Sequence, residues 1–177
     1  MFVAVWPDRA TRELLTSLEL PAAPGLRLVR PDEWHVTLRF LGEVDEQLVP
    51  PLVAAVGRAT RSAPRPVRAV LGPGTAWFAG GRVLQVQVAG LDDLAAAVRA
   101  ATVPVAPVRD TAEPLFVGHL TIARANRSDP DAAARTAMAG LPCRSSFGVD
   151  AVDLVGSRRT PDGIRYTTLG SAPLPRD

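Results

Sequence analysis

Lysine is absent: all 20 basic residues of this 177-residue chain are arginine. That absence excludes several chemistries. A Walker A phosphate loop needs lysine before its Ser/Thr, and Schiff-base or nucleotidyl-lysine intermediates need a lysine amine. Cysteine is nearly absent too. Cys143 stands alone and can form no internal disulfide, which agrees with a reducing compartment. No apolar run reaches the ~18 residues that cross a bilayer, so no membrane partner is expected. Phe2–Trp6 is apolar but too short for a signal core and meets Pro7-Asp8, so a cytoplasmic protein is expected. Neither HExxH nor a Cys/His cluster occurs, and no metal or cofactor is expected. There is no GxSxG nucleophile elbow.

What remains is a well-filled globular chain, 47% hydrophobic with a mean hydropathy of +0.11. Its length suits one domain, or two small lobes sharing a core. Guanidinium groups suit phosphate recognition, although a genome favouring Arg, Ala, Pro and Gly codons yields the same composition. A net charge of +2 fits a small basic cleft better than a broad nucleic-acid footprint.

The hydrophobic pattern gives the order β-α-β-α twice. In the first half, strands are predicted at Phe2–Trp6 and Trp34–Leu41, with helices near Arg9–Leu18 and at Glu46–Arg61. In the second, strands at Val83–Ala89 and Leu115–Ala123 alternate with helices at Leu91–Ala101 and near Pro130–Met138. More strand-like sequence follows at Val67–Leu71, Phe147–Val155 and Ile164–Leu169. Gly72-Pro73-Gly74 and Gly80-Gly81 read as turns. The expectation is an α+β fold in one bilobal domain spanning 1–177, with duplicated units at about 1–62 and 82–140. Each pseudo-symmetric lobe is an antiparallel sheet with helices outside, and the two face a central cleft.

The only two histidines, 84 positions apart, head His35-Val36-Thr37-Leu38 and His119-Leu120-Thr121-Ile122. Each segment falls on the second strand of its unit. Alternation puts His35 with Thr37, and His119 with Thr121, on one face. Val36, Leu38 and Phe40 take the opposite face of the first strand, and Leu120 and Ile122 that of the second. Two imidazoles in one cleft suit in-line displacement at phosphorus. One activates the nucleophile and the other protonates the leaving oxygen, while the threonine hydroxyls hold non-bridging oxygens. A cyclic phosphate is the natural substrate, because ring opening needs a base and an acid on opposite sides. Asp32 and Glu33 are expected at the surface. Trp34, Trp77 and Phe78 are candidates either for stacking a base or for core packing.

The paired His-x-Thr-x segments resemble those of the two-histidine phosphoesterase superfamily. Phe2-Val3-Ala4-Val5, the run from Trp34 to Val44, Arg82-Val83-Leu84, the run from Phe116 to Arg124, and Ser157 with Tyr166 narrow the resemblance. They are similar to the RNA 2′,3′-cyclic phosphodiesterases, also called 2′-5′ RNA ligases. The resemblance implies hydrolysis of a 2′,3′-cyclic phosphate RNA end to a 2′-phosphate. In it His35 is the proton donor, His119 the proton acceptor, and Thr37, Thr121 and Arg124 bind substrate. Strict alternation turns Arg124 away from His119, so it reaches the cleft only if the strand ends or bulges. Arg39 has cleft parity. Gly118 stands where the family usually has proline, which is expected to add flexibility.

Without lysine, any ligation must be the hydrolytic step reversed and independent of ATP. Two other readings stay open: a cyclic phosphodiesterase of small nucleotides, and a non-catalytic binder of RNA ends. A monomer is expected.

Overall fold

The computed structural model describes residues 1–78, 80–107, 115–125, 132–161 and 163–175. Its backbone is ordered by one burial problem: alternating strands that need a cover on their apolar face. The first unit runs β1 (Phe2–Val5), α1 (Arg9–Thr16), β2 (Leu26–Leu28), β3 (Val36–Phe40), α2 (Val49–Ser62) and β4 (Arg68–Trp77). The second runs β5 (Val83–Ala89), α3 (Asp92–Thr102), β6 (His119–Ala125), α4 (Ala132–Met138) and β7 (Ser145–Gly148), and the hairpin β8 (Ala151–Thr160) and β9 (Gly163–Pro173) completes the fold.

Local sequence explains the helices. Asp8 caps α1 by accepting from the Thr11 amide at 2.8 Å. Prolines occupy the first turn of α2, where their missing N–H costs nothing. Asp92 and Asp93 sit at the positive end of α3. Leu52, Ala55, Val56 and Ala59 of α2 are buried, as are Leu94, Ala95 and Val98 of α3, one stripe on each. These stripes cover Val3, Val5, Val36, Leu84, Val86 and Leu120 in a single core.

The strands form one sheet in the order β7-β4-β5-β6-β3-β1-β8-β9, with β2 paired to β6. Every pairing is antiparallel. The α+β class with antiparallel strands is therefore as expected. The two expected sheets are hydrogen-bonded into one, joined by a single pair, Val36 with Leu120. Outward from that junction each arm runs motif strand, then opening strand: β3 then β1, and β6 then β5.

Several sequence expectations need correction. Gly72-Pro73-Gly74 is no turn between elements but a bulge inside β4, which continues to Trp77. Glycine is needed there because a Cβ at Gly72 or Gly74 would sit 2.8 Å or 2.6 Å from the carbonyl oxygens of Cys143 and Leu141. Phe147–Val155 is split into β7 and β8 by Val149-Asp150. The short β2 is an element alternation alone does not reveal. The predicted helix near Pro130–Met138 is α4, with Pro130 and Asp131 outside the described residues.

Candidate active site

The register of β3 against β6 assembles the two motifs. With Val36 opposite Leu120, antiparallel pairing sets His35 toward Thr121 and Thr37 toward His119. All four lie on the face opposite the helices. The histidines thus occupy one diagonal of a square and the threonines the other.

Both imidazoles are held the same way. His35 Nδ1 donates to the Glu33 carbonyl at 2.6 Å, and His119 Nδ1 donates to the Val117 carbonyl at 2.7 Å. In each motif the acceptor lies two residues earlier. A carbonyl only accepts, so Nδ1 carries the hydrogen and the neutral ring presents an unprotonated Nε2.

The two motif strands also share a defect. Between Val3 and Ala4 the β1–β3 register slips, leaving Leu38 without a partner. Between Leu84 and Gln85 the β5–β6 register slips, leaving Ile122 without one. Each bulge falls three residues after its histidine and reverses the alternation beyond it. Ile122 and Ala123 are consequently both buried, and Arg124 returns to the cleft face. Its charge bears on both His35 and Tyr166. The condition that parity set for Arg124 is met.

The same bulge overturns two expectations in the first motif. Arg39 is turned into the core, 3% exposed. It donates from Nη1 to Thr102 Oγ1 at 2.8 Å and from Nη2 to the Ala106 carbonyl at 3.1 Å, at the negative end of α3. Phe40 does not pack inward; it is 64% exposed, its ring 6.3 Å from that of Phe2. Phe40 and Arg124 are equivalents, each five residues past its histidine. The signal that could have revealed this was the consecutive apolar pair Ile122-Ala123, which breaks a two-residue period. In the first copy an arginine at 39 hides it.

The surroundings of the two histidines differ. His35 stacks on Phe2 at 4.8 Å and meets the edges of Tyr166 at 5.2 Å and Trp6 at 5.5 Å. Burial among these rings pushes its pKa below the ordinary value; Arg124 and His119 push the same way, and the Glu33 carbonyl bond opposes them. Burial likewise pushes the Tyr166 phenol up, keeping it a donor. Trp6 is fixed by an indole bond of 2.9 Å to Asp153 Oδ2. Among the described residues a single ring, that of Phe78 at 5.1 Å, lies beside His119. Across β5, Gln85 faces Thr121 and Gln87 faces His119.

Of the aromatic candidates, Trp34 is core and Trp77 lies under the Arg135 guanidinium at 4.8 Å, so Phe78 alone reaches the site. Glu33, expected at the surface, is buried and paired with Arg27 at 3.5 Å and Arg30 at 3.4 Å. Asp32 is exposed as expected. Gly118 does not add slack. The Val88 amide donates to its carbonyl at 2.9 Å, and a Cβ would overlap the Val88 carbonyl oxygen. Among the described residues no group of three His, Cys, Asp or Glu side chains could hold a metal ion, and no helix is long and apolar enough to cross a membrane.

Residues 5–70 match the family model of LigT-like phosphoesterases. Over 98% of its length the chain is similar to TT0787 of Thermus thermophilus, covering 96% of that protein at 28% identity and a TM-score of 0.76. It shares the fold of Escherichia coli LigT. For LigT complexed with 3′-AMP the identity is 23%, the coverage 99% and 97%, and the TM-score 0.72. For the NADP+ complex the values are 24%, 99%, 96% and 0.71. No curated protein sequence matches.

Proposed function

We propose that the chain, whose residues 5–70 match the family model of LigT-like phosphoesterases, is a phosphoesterase of that kind and hydrolyses 2′,3′-cyclic phosphate ends of RNA to 2′-phosphate ends. The observation that carries this reading is the matched pair of imidazoles, each with Nδ1 tied to a carbonyl two residues back. Ring opening at phosphorus needs two Nε2 atoms on one cleft face, one unprotonated to accept a proton and one protonated to donate it.

In this mechanism the cyclic phosphate lies between the histidines. His119 Nε2 takes a proton from water as the water oxygen bonds to phosphorus. The P–O3′ bond breaks, and protonated His35 delivers its Nε2 proton to O3′. The products are a 2′-phosphate and a free 3′-hydroxyl. Thr37 and Thr121 donate to the non-bridging oxygens, and Arg124 offsets the charge that accumulates there. Phe40 and Phe78 offer faces for a base. The complexes of E. coli LigT with 3′-AMP and NADP+ are consistent with a nucleotide in this cleft. Ligation would be the same step reversed, with a 5′-hydroxyl in place of water and no ATP.

The deciding experiment is product analysis on an RNA ending in a 2′,3′-cyclic phosphate, run in EDTA. A 2′-phosphate product is expected, with losses of at least ~10²-fold for His35→Ala and for His119→Ala. Full activity in either variant refutes the mechanism. ATP-stimulated joining contradicts the ligation route.

A further inference from the structure

The two motifs hold their imidazoles alike through the backbone and unlike through a side chain. In each, the carbonyl two residues before the histidine receives Nδ1–H, at 2.6 Å from Glu33 and 2.7 Å from Val117. The side chains at these equivalent positions are a carboxylate and an isopropyl group. Val117 is 52% exposed, whereas the Glu33 side chain is only 7% exposed.

Glu33 is fixed through both backbone and side chain. Pro31 opens one tight helical turn, Pro31–Glu33, and the Glu33 amide donates to the Arg30 carbonyl at 2.9 Å. Oε2 takes Arg27 at 3.5 Å and Oε1 takes Arg30 at 3.4 Å, which sets the carboxylate's orientation. The two arginines are 43% and 60% exposed, so water screens their charges more than that of the buried carboxylate between them. Of these three charges it is Glu33's that bears on His35.

The other groups around His35 do not supply a counter-charge. Among the described residues, β6 brings Arg124 and His119, which both disfavour a positive ring. From β9 comes the Tyr166 phenol, kept neutral by burial. Phe2 and Trp6 come from the β1 side, and Asp153 of β8 receives the Trp6 indole at 2.9 Å. Burial is the largest influence against the imidazolium. Both groups that oppose it, a carbonyl and a carboxylate, belong to Glu33.

We infer that Glu33 is the positioning residue of the proton donor: its carbonyl sets the tautomer of His35, and its buried carboxylate is the counter-charge for the protonated ring. This rests on the acid role proposed for His35 above. His119, with no charge in the equivalent place, is left to accept. The side chain two residues before each histidine thus divides the roles between motifs that are otherwise alike.

The chain has two histidines, so its imidazole carbons give two NMR titration curves, assigned with His119→Ala. In the free protein Glu33→Gln, with folding checked by circular dichroism, is expected to lower the His35 midpoint by about half a pH unit, a roughly threefold change in proton affinity. The His119 midpoint moves less, and Glu33→Asp, which keeps the charge, restores most of the difference. On a cyclic-phosphate RNA end the falling limb of kcat/KM moves to lower pH in Glu33→Gln. A purely structural role would lower the rate at every pH and leave the limb in place. A His35 midpoint that stays or rises, a shift shared equally by His119, or an Asp variant displaced as far as the Gln variant overturns the assignment. If Glu33→Gln does not fold, Arg30→Gln takes its place at an exposed position. Uncovering the carboxylate there is expected to raise the His35 midpoint, and a midpoint that stays or falls overturns the assignment. If no cyclic phosphate turns over, the proposed function fails, and the coupling of Glu33 to His35 stands or falls on the ring titrations alone.

Discussion

Replacing Gly118 by alanine adds one methyl group immediately before the second catalytic candidate. Its Cβ would overlap the Val88 carbonyl oxygen and lie 3.1 Å from the carbonyl carbon and 3.3 Å from Phe116 Cζ. A side-chain end could swing aside, but this obstacle is backbone in β5, which is held between β4 and β6. The start of β6 must therefore move outward and carry His119 with it. Overpacking of this kind costs about 1–3 kcal/mol, and a chain of this size loses roughly 2–4 °C of melting temperature per kcal/mol. The catalytic cost is larger, because misplacing a catalytic group by ~1 Å costs on the order of 10²-fold. Gly148→Ala is the control, since a Cβ there meets nothing within 4 Å. The assay is kcat/KM on a cyclic-phosphate RNA end beside a thermal melt. A folded Gly118→Ala protein within twofold of wild-type activity would refute the close-approach argument, as would an equal loss in Gly148→Ala.

Arg39→Met should lower stability by about 1–3 kcal/mol in urea unfolding, because Thr102 Oγ1 and the Ala106 carbonyl lose a buried donor. A neutral result would show the guanidinium to be dispensable to the core. Phe40→Ser should raise KM about tenfold, within the ~1–3 kcal/mol that base stacking is worth, and leave kcat less affected; an unchanged KM removes Phe40 from the site. If His35 is the acid, it must carry a proton. Its lowered pKa then puts the falling limb of kcat/KM against pH below about 6.5. Arg124 is one cause of that lowering, so Arg124→Gln should move the limb to higher pH even as the rate falls. Movement the other way contradicts the acid assignment.

The elements were legible where one period dominates. Alternation in Val83–Ala89 gave β5 to the residue, and α2 and α3 were displaced by one to three residues at their ends. The four residues at the centre of the site were also legible, because two identical local patterns carry the only histidines. What the pattern missed was every place where the period fails: the bulges at Leu38 and Ile122, and the break at Val149-Asp150. A bulge adds no residue type of its own, so only its consequence shows, as two neighbouring side chains on one face. Ile122-Ala123 displays that consequence openly. Leu38-Arg39 conceals it, since an arginine is assumed to face water until Thr102 and Ala106 are seen to receive it. Glu33 was misplaced in a similar way: a carboxylate is assumed to face water until Arg27 and Arg30 are seen to receive it.

The matched bulges explain why a repeated motif need not give a symmetric site. Each returns the fifth residue after the histidine to the cleft, and the two copies use that position differently, for a phenyl ring and for a guanidinium. Around His35 the Phe2, Trp6 and Tyr166 rings remove water and disfavour the imidazolium. The positive charge of Arg124 reaches across and disfavours it further. An anion between the two motifs reverses this balance, because a phosphate beside His35 favours its protonated form and screens Arg124. If His35 is the acid, the substrate therefore helps supply the protonation state that its own cleavage requires. The falling limb of kcat, which reports the complex, must then lie at higher pH than that of kcat/KM, which reports the free protein.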